Sequence, residues 1–92
     1  MAEDTVRRHV LISGDVQGVS FREAARRRAT EAGVAGWIEN RSDGRVEAVF
    51  EGPAEAVDEL VEFCREGPTA ATVQDVDVQT EEPGGLSGFD AR

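Results

Sequence analysis

The chain has 92 residues, 39% of them hydrophobic, which is enough for one folded domain but not for two separate cores. Its net charge is −9 and all ten basic residues are arginine. A surface this acidic disfavours binding to nucleic acid or anionic lipid. The single cysteine, Cys64, excludes an internal disulfide and a cysteine-based metal cluster.

The N-terminal residues carry two acids where a secretory signal would carry positive charge. No later stretch approaches the roughly 18 apolar residues of a membrane span. We therefore expect a cytoplasmic monomer without a membrane partner, in which residues 1–92 form one domain and residues 1–5 are a flexible lead.

The charge is unevenly distributed along the chain. Residues 1–46 hold eight arginines against seven acids, a net +1, whereas residues 47–92 hold two arginines against twelve acids, a net −10. One hypothesis is adaptation to a salty cytoplasm, where salt screens the self-repulsion of an acidic surface. The alternative is an ordinary acidic protein from a genome that favours arginine.

The first half of the chain predicts a strand, a helix and a hairpin. Residues 6–14 alternate between apolar and polar side chains, as a strand does. Ser20 and Glu23 form a capping-box pattern at the start of a helix that ends at Gly33. The apolar positions of this helix are Phe21, Ala24, Ala25, Ala29 and Ala32. Residues 34–40 and 45–51 are typical of two strands joined by a turn that ends in Asp43-Gly44.

The second half predicts another helix and two strands. After a break at Gly52-Pro53, apolar residues recur at helical spacing as far as about Glu66. These residues are Val57, Leu60, Val61 and Cys64. Residues 72–80 predict a fourth strand, and residues 89–92 a short fifth.

This order predicts an α+β, ferredoxin-like βαββαβ sandwich, with two antiparallel helices on one face of an antiparallel four- to five-stranded sheet. The first two strands should run parallel, with the third between them. Their C-terminal ends then share one edge of the sheet. The loop at residues 14–20 and the side chain of Asn40 are therefore expected to meet there.

The loop that precedes the first helix has the features of an anion site. Gly14 and Gly18 allow close backbone approach, and the N-terminus of a helix favours negative charge. Arg22 lies in the first turn, where the dipole disfavours a cation unless an anion lies between the cation and the amides. Since a guanidinium matches two phosphate oxygens, a phosphoryl group is the natural candidate.

Two segments resemble the signatures of the acylphosphatase family. Residues 14–22 read GDVQGVSFR, which contains every defined letter of the first signature. Residues 36–40 read GWIEN and are followed by GRV at 44–46 and by Gly52, which is similar to the second signature in spacing and in most identities. The resemblance extends over nearly the whole chain.

The resemblance implies metal-independent, cofactor-free hydrolysis of an acyl phosphate to a carboxylate and inorganic phosphate. It implies that Arg22 binds the phosphate and that Asn40 positions the attacking water. The backbone amides that would assist belong to Asp15, Val16, Gln17, Gly18, Val19 and Ser20. No nucleophilic residue is required, because an acyl phosphate already has a good leaving group.

The chain departs from the signatures at several positions. Ile38 replaces a smaller residue, Glu39 replaces a basic or neutral one, and Arg41 replaces a threonine that often follows the catalytic asparagine. Arg41 could assist substrate binding or simply be solvated. Ala91 makes a weak final strand.

Other chemical roles have weaker support in the sequence. His9 has no second ligand that would suggest a metal site, and Cys64 has the pattern of a buried small hydrophobe. The main rival function is an accessory module similar to the N-terminal domain of hydrogenase-maturation proteins. RNA-binding domains and metal chaperones share the fold, but they need exposed aromatics on a basic sheet or a Cys-x-x-Cys pair. A small-molecule regulatory domain is a further alternative.

Overall fold

The computed structural model describes residues 4–92, which form seven elements in the predicted order. The strands are β1 (Thr5–Asp15), β2 (Ala35–Asn40), β3 (Val46–Pro53), β4 (Thr72–Glu81) and β5 (Phe89–Ala91), and the helices are α1 (Phe21–Ala32) and α2 (Ala54–Glu66). Residues 1–3 of the expected lead lie outside the described residues, whereas Thr5 already belongs to β1. Within residues 4–92, neither helix is long and apolar enough to cross a membrane.

The five strands form one sheet in the order β4-β1-β3-β2-β5. Strand β3 is antiparallel to both β1 and β2, so β1 and β2 run parallel on either side of it, as predicted. The expectation of a wholly antiparallel sheet is wrong at one edge, because β5 pairs parallel with β2. The chain reverses direction between β4 and β5, and β2 also runs opposite to β4, so β5 must run in the direction of β2.

The core lies between the two helices and one face of the sheet. Helix α1 contributes Phe21, Ala25 and Ala29, and α2 contributes the predicted stripe at Val57, Leu60, Val61 and Cys64. These side chains pack on buried sheet residues, among which Val10, Ile12, Ile38, Val46, Ala48 and Phe50 are fully buried. Burial at this spacing explains why the two segments are helical, since each presents one apolar face to the sheet.

The change from strand to helix occurs at Gly52-Pro53, as predicted, but both residues still belong to the strand. Strand β3 continues to Pro53, which pairs with Thr5, and α2 begins at the next residue. A proline is tolerated at the end of a strand because the ladder needs no further N–H from it.

Candidate active site

The loop that leaves β1 enters α1 through two residues in the left-handed backbone region. Gly18 has φ 73° and Ser20 has φ 63°. The predicted capping box is wrong, because Ser20 makes no side-chain cap hydrogen bond, and Glu23 instead accepts two hydrogen bonds from Arg26, at 2.9 and 2.5 Å. The amides of the first turn therefore lack a side-chain cap and are free to serve an anion.

A cavity of about 120 Å³ opens at this point. It is lined by Val16, Gly18, Ser20, Phe21, Arg22, Glu23 and Asn40. Water occupies about 30 Å³ per molecule in the liquid, so the cavity has room for a phosphoryl group. The structure thus brings the two predicted catalytic side chains to the walls of one cavity, together with three of the six predicted loop residues.

The other predicted loop residues lie outside the cavity walls. Asp15 is exposed, ends β1 opposite Thr72 and is not among the residues that line the cavity. Val19 is half-buried and packs against the core. Gln17 is half-buried and bonds elsewhere, as described below.

Arg22 is half-buried in the first turn of α1, where its Nη1 donates to the backbone carbonyl of Arg92. A guanidinium has five N–H donors, so others remain for a ligand in the cavity. The neighbouring carboxylate of Glu23 would oppose an anion, but it is paired with the guanidinium of Arg26. The hydrogen bonds of this pair also lower the pKa of Glu23. The positive charge of Arg26 therefore compensates the negative charge of Glu23.

Asn40 is the last residue of β2 and pairs with Val46 of β3. It follows Ile38 on the same side of the strand, and Ile38 is fully buried against the helices. This alternation directs the Asn40 amide to the helix side of the sheet, where Arg22 also lies. The larger Ile38 is accommodated in the core.

Gln17 has a role that the sequence does not reveal. Its Nε2 donates to the carbonyl of Arg41 at 2.7 Å and to that of Arg45 at 3.0 Å. The side chain thereby joins the loop before α1 to the turn that follows Asn40. A sequence signal for this would require knowing which backbone carbonyls are nearby, and these lie 24 and 28 residues further along the chain.

Arg41 is engaged with carboxylates and does not line the cavity. Its Nε donates to Asp43 at 3.1 Å and its Nη1 to Glu47 at 3.3 Å. Glu47 also contacts His9 at 2.6 Å, and this hydrogen bond is the main reason that the pKa of Glu47 is lowered. Arg41 therefore belongs to a charged network on the sheet face away from the helices.

Cys64 is fully buried, and burial raises the pKa of its thiol to about 12. Such a thiol is a packing group rather than a nucleophile. Within residues 4–92, no group of three or more His, Cys, Asp or Glu side chains is placed to hold a metal ion.

Wider grooves lie along the helices, away from the loop. One of about 520 Å³ is lined by Ala24, Arg27, Arg28, Glu31, Phe63, Gly67, Pro68 and Thr69. It is larger than the cavity at Arg22, but it contains neither Asn40 nor the glycine-containing loop. Size alone therefore does not identify the site.

Comparison with known proteins agrees with this geometry. The acylphosphatase family model matches residues 8–91. An acylphosphatase of Haloquadratum walsbyi is 53% identical over 92 residues, which are 100% of this chain and 99% of that protein. One of Chloroflexus aurantiacus is 59% identical over 86 residues, or 94% of each chain.

A solved structure gives the same result in three dimensions. The acylphosphatase from Coxiella burnetii superposes with a TM-score of 0.92 at 38% identity, covering 97% of this chain and 94% of that one. Sequence and fold agree over the elements that form the cavity, and the chain belongs to the acylphosphatase family, whose members hydrolyse acyl phosphates.

Proposed function

We propose that the cavity at Arg22 binds the phosphoryl group of an acyl phosphate, and that Asn40 orients the water that hydrolyses it. The observation that carries this proposal is the shared cavity of Arg22, Asn40 and the loop before α1. The Arg22 guanidinium holds the phosphoryl oxygens together with backbone amides of the predicted loop 15–20, of which Val16, Gly18 and Ser20 line the cavity. Their charge-assisted hydrogen bonds strengthen as negative charge develops during the reaction.

Asn40 orients the attacking water. Its amide oxygen accepts a hydrogen bond from the water, and its NH₂ group can donate one to the water. The water is thereby held in one orientation toward the bound phosphoryl group. The products are a carboxylate and inorganic phosphate. Because the carboxylate leaves readily, the reaction needs no covalent intermediate, and we propose that it proceeds without a metal.

The test is the release of inorganic phosphate from benzoyl phosphate. We expect Arg22→Ala to lower the rate by roughly 100- to 1,000-fold, because it removes a charge-stabilising donor. Asn40→Ala should have a similar or larger effect, mostly on kcat. Arg27→Ala is the matched control, since Arg27 is exposed on the same helix and lies outside the cavity walls. Wild-type turnover by the Arg22→Ala protein would refute the assignment.

Metal dependence has its own measurement. We expect the rate to be unchanged after dialysis against EDTA, and unchanged again when Mg²⁺ or Zn²⁺ is restored. A loss on chelation that a divalent ion reverses would contradict metal-independent hydrolysis.

We also propose that residues 1–92 act as one domain, a cytoplasmic monomer without nucleic acid or membrane partners. The single five-stranded sheet supports one domain. The net charge of −9 opposes self-association and the approach of other polyanions. Light scattering at physiological salt should give the mass of a single chain, 9.9 kDa. A mass of twice that value would contradict the monomer.

A further inference from the structure

The side-chain amide of Gln17 connects the two halves of the active site. Its Nε2 lies 2.7 Å from the Arg41 carbonyl and 3.0 Å from the Arg45 carbonyl. Both partners are acceptors, so the donor must be the NH₂ group, and each of its two hydrogens has a partner. The amide orientation is thus set by the structure around it.

The two carbonyls belong to the ends of one turn. The Arg41 amide donates to the Arg45 carbonyl at 2.8 Å, and the Gly44 amide donates to the Arg41 carbonyl at 3.2 Å. Gln17 donates one further hydrogen bond to each of these carbonyls. It therefore binds a turn whose two ends are already joined by backbone hydrogen bonds. Asn40 immediately precedes this turn, so the bonds of Gln17 end one peptide unit from the residue that orients water.

The other end of the connection is the loop at residues 15–20, which we call the phosphate loop after its proposed role. Gln17 lies between Val16, which is 1% exposed, and Gly18, which has φ 73°. Val16 and Gly18 both line the cavity, whereas Gln17 does not. The backbone on each side of Gln17 therefore contacts the space for the ligand, while its side chain reaches away to the segment of Asn40.

We propose that Gln17 is a positioning residue, which fixes the distance between the loop that holds the phosphoryl group and the asparagine that holds the water. This inference rests on the roles proposed above for Arg22 and Asn40. Strands β1 and β2 are not paired with each other, because β3 lies between them. The hydrogen bonds of Gln17 therefore add a direct connection between the loop and the turn after Asn40, beside the indirect one through β3.

The proposal predicts a separation of kcat from phosphate affinity. In Gln17→Met, volume is retained but both hydrogen bonds are lost, and kcat should fall about 10- to 100-fold, the scale expected for small misplacements of reacting groups. The inhibition constant of inorganic phosphate should stay within about threefold, since Arg22 and the loop amides still bind it. Gln17→Glu should be worse, because a carboxylate facing two carbonyls is repelled.

The matched control is Gln79→Met. Gln79 is exposed on β4, where it pairs with His9, and it lies outside the cavity walls, so this variant should retain wild-type kcat. Urea unfolding of every variant shows whether a fall in kcat accompanies a loss of folded protein. If Gln17→Met does not fold, Gln17→Asn, which is too short to reach both carbonyls, takes its place in the same assay.

A double-mutant cycle distinguishes positioning from simple structural support. If Gln17 acts through Asn40, then Gln17→Met should lower kcat much less in an Asn40→Ala background than in the wild type. Equal losses in the two backgrounds, a wild-type kcat, or parallel losses of kcat and phosphate affinity would each overturn the proposal. If Asn40→Ala alone has full activity, the failure belongs to the proposed role of Asn40 rather than to the connection through Gln17.

Discussion

Glu51 shows how one carboxylate can organise a long loop. It is 4% exposed, on the sheet face opposite the helices, and it accepts hydrogen bonds from the amides of Gly84 and Leu86, both at 2.8 Å. Arg7 approaches it at 3.6 Å. The hydrogen bonds from these amides lower the pKa of this carboxyl, and the bond from Gly84 has the largest effect. The loop at residues 82–88, which leads into β5, is thereby fastened across the sheet.

The lowered pKa of Glu51 predicts how stability depends on pH. A carboxyl whose pKa is lower in the folded state stabilises the fold above its unfolded pKa, and this stabilisation disappears as pH falls through the folded pKa. At pH 7, Glu51→Gln should cost about 1.5–3 kcal/mol, the usual range for hydrogen bonds to a charged group. Urea unfolding at pH 7 and in acid measures this difference. Equal stability of the two proteins at pH 7, or a gap that widens in acid, would contradict the role of the carboxylate.

At the scale of elements, much of the architecture could be predicted from the sequence. Apolar patterning located β1 to β4 and both helices, because burial of one face dictates those periods, whereas the three residues of β5 are too few to show a period. The turn chemistry of the phosphate loop was harder to predict. Ser20 and Glu23 have the spacing of a capping box, but that spacing does not show that Ser20 adopts a left-handed backbone.

Features that depend on distant parts of the chain could not be predicted. The parallel pairing of β5 depends on where the loop before it crosses the sheet, and only Phe89 of that strand is a large apolar residue. The placement of Arg22 and Asn40 at one cavity was predictable, because both lie in recognisable signatures and parallel strands end at the same edge of a sheet. The partners of Gln17 and Glu51 were not, since both residues bind backbone groups, which leave no mark on side-chain patterns.

Glycine substitutions in and beside the phosphate loop test its backbone geometry. Gly18 has φ 73° and no atom within 4 Å of an added Cβ, so Gly18→Ala should cost only the conformational penalty, about 1 kcal/mol. Gly14 has φ 126°, and a Cβ there would lie 2.2 Å from the Thr72 carbonyl oxygen. Gly14→Ala must therefore shift β1 away from β4.

Ser20→Gly provides the opposite change, because glycine adopts the left-handed backbone of residue 20 without penalty. We expect thermal unfolding to rank Ser20→Gly at least as stable as wild type, Gly18→Ala below it, and Gly14→Ala lowest. If Gly14→Ala and Gly18→Ala were equally stable, close contact with β4 would not be what requires glycine at position 14.

At the scale of the whole molecule, the acidic residues form exposed surfaces on two elements of the second half. On α2 the exposed acids are Glu55, Asp58, Glu59, Glu62 and Glu66, and on β4 they are Asp75, Asp77 and Glu81. Two of these acids have an arginine within 4 Å, Glu62 with Arg65 and Glu81 with Arg7. The other charges on these surfaces repel one another across solvent.

This repulsion predicts that KCl stabilises the protein. The screening length falls from about 10 Å at 0.1 M salt to about 3 Å at 1 M, so the thermal unfolding midpoint should rise over that range. A variant with Glu55→Gln, Asp58→Asn and Glu59→Gln should show a smaller rise, because fewer like charges remain on α2. An unfolding midpoint that is independent of KCl would contradict the salt hypothesis and favour an ordinary acidic protein.

The position of β3 between β1 and β2 has a consequence for how activity appears as the chain folds. The phosphate loop follows β1 and Asn40 ends β2, yet these two strands are joined only through β3, which occupies residues that come later in the chain. A chain synthesised only as far as Asn40 contains Arg22 and Asn40 but lacks the strand that brings them together. Sheets that depend on such non-local pairing form in milliseconds to seconds, well after single helices. In stopped-flow refolding, hydrolysis should therefore begin with the slow phase reported by Trp37 fluorescence and not with the early rise in helicity. Catalytic competence would then mark the moment at which the central strand is inserted.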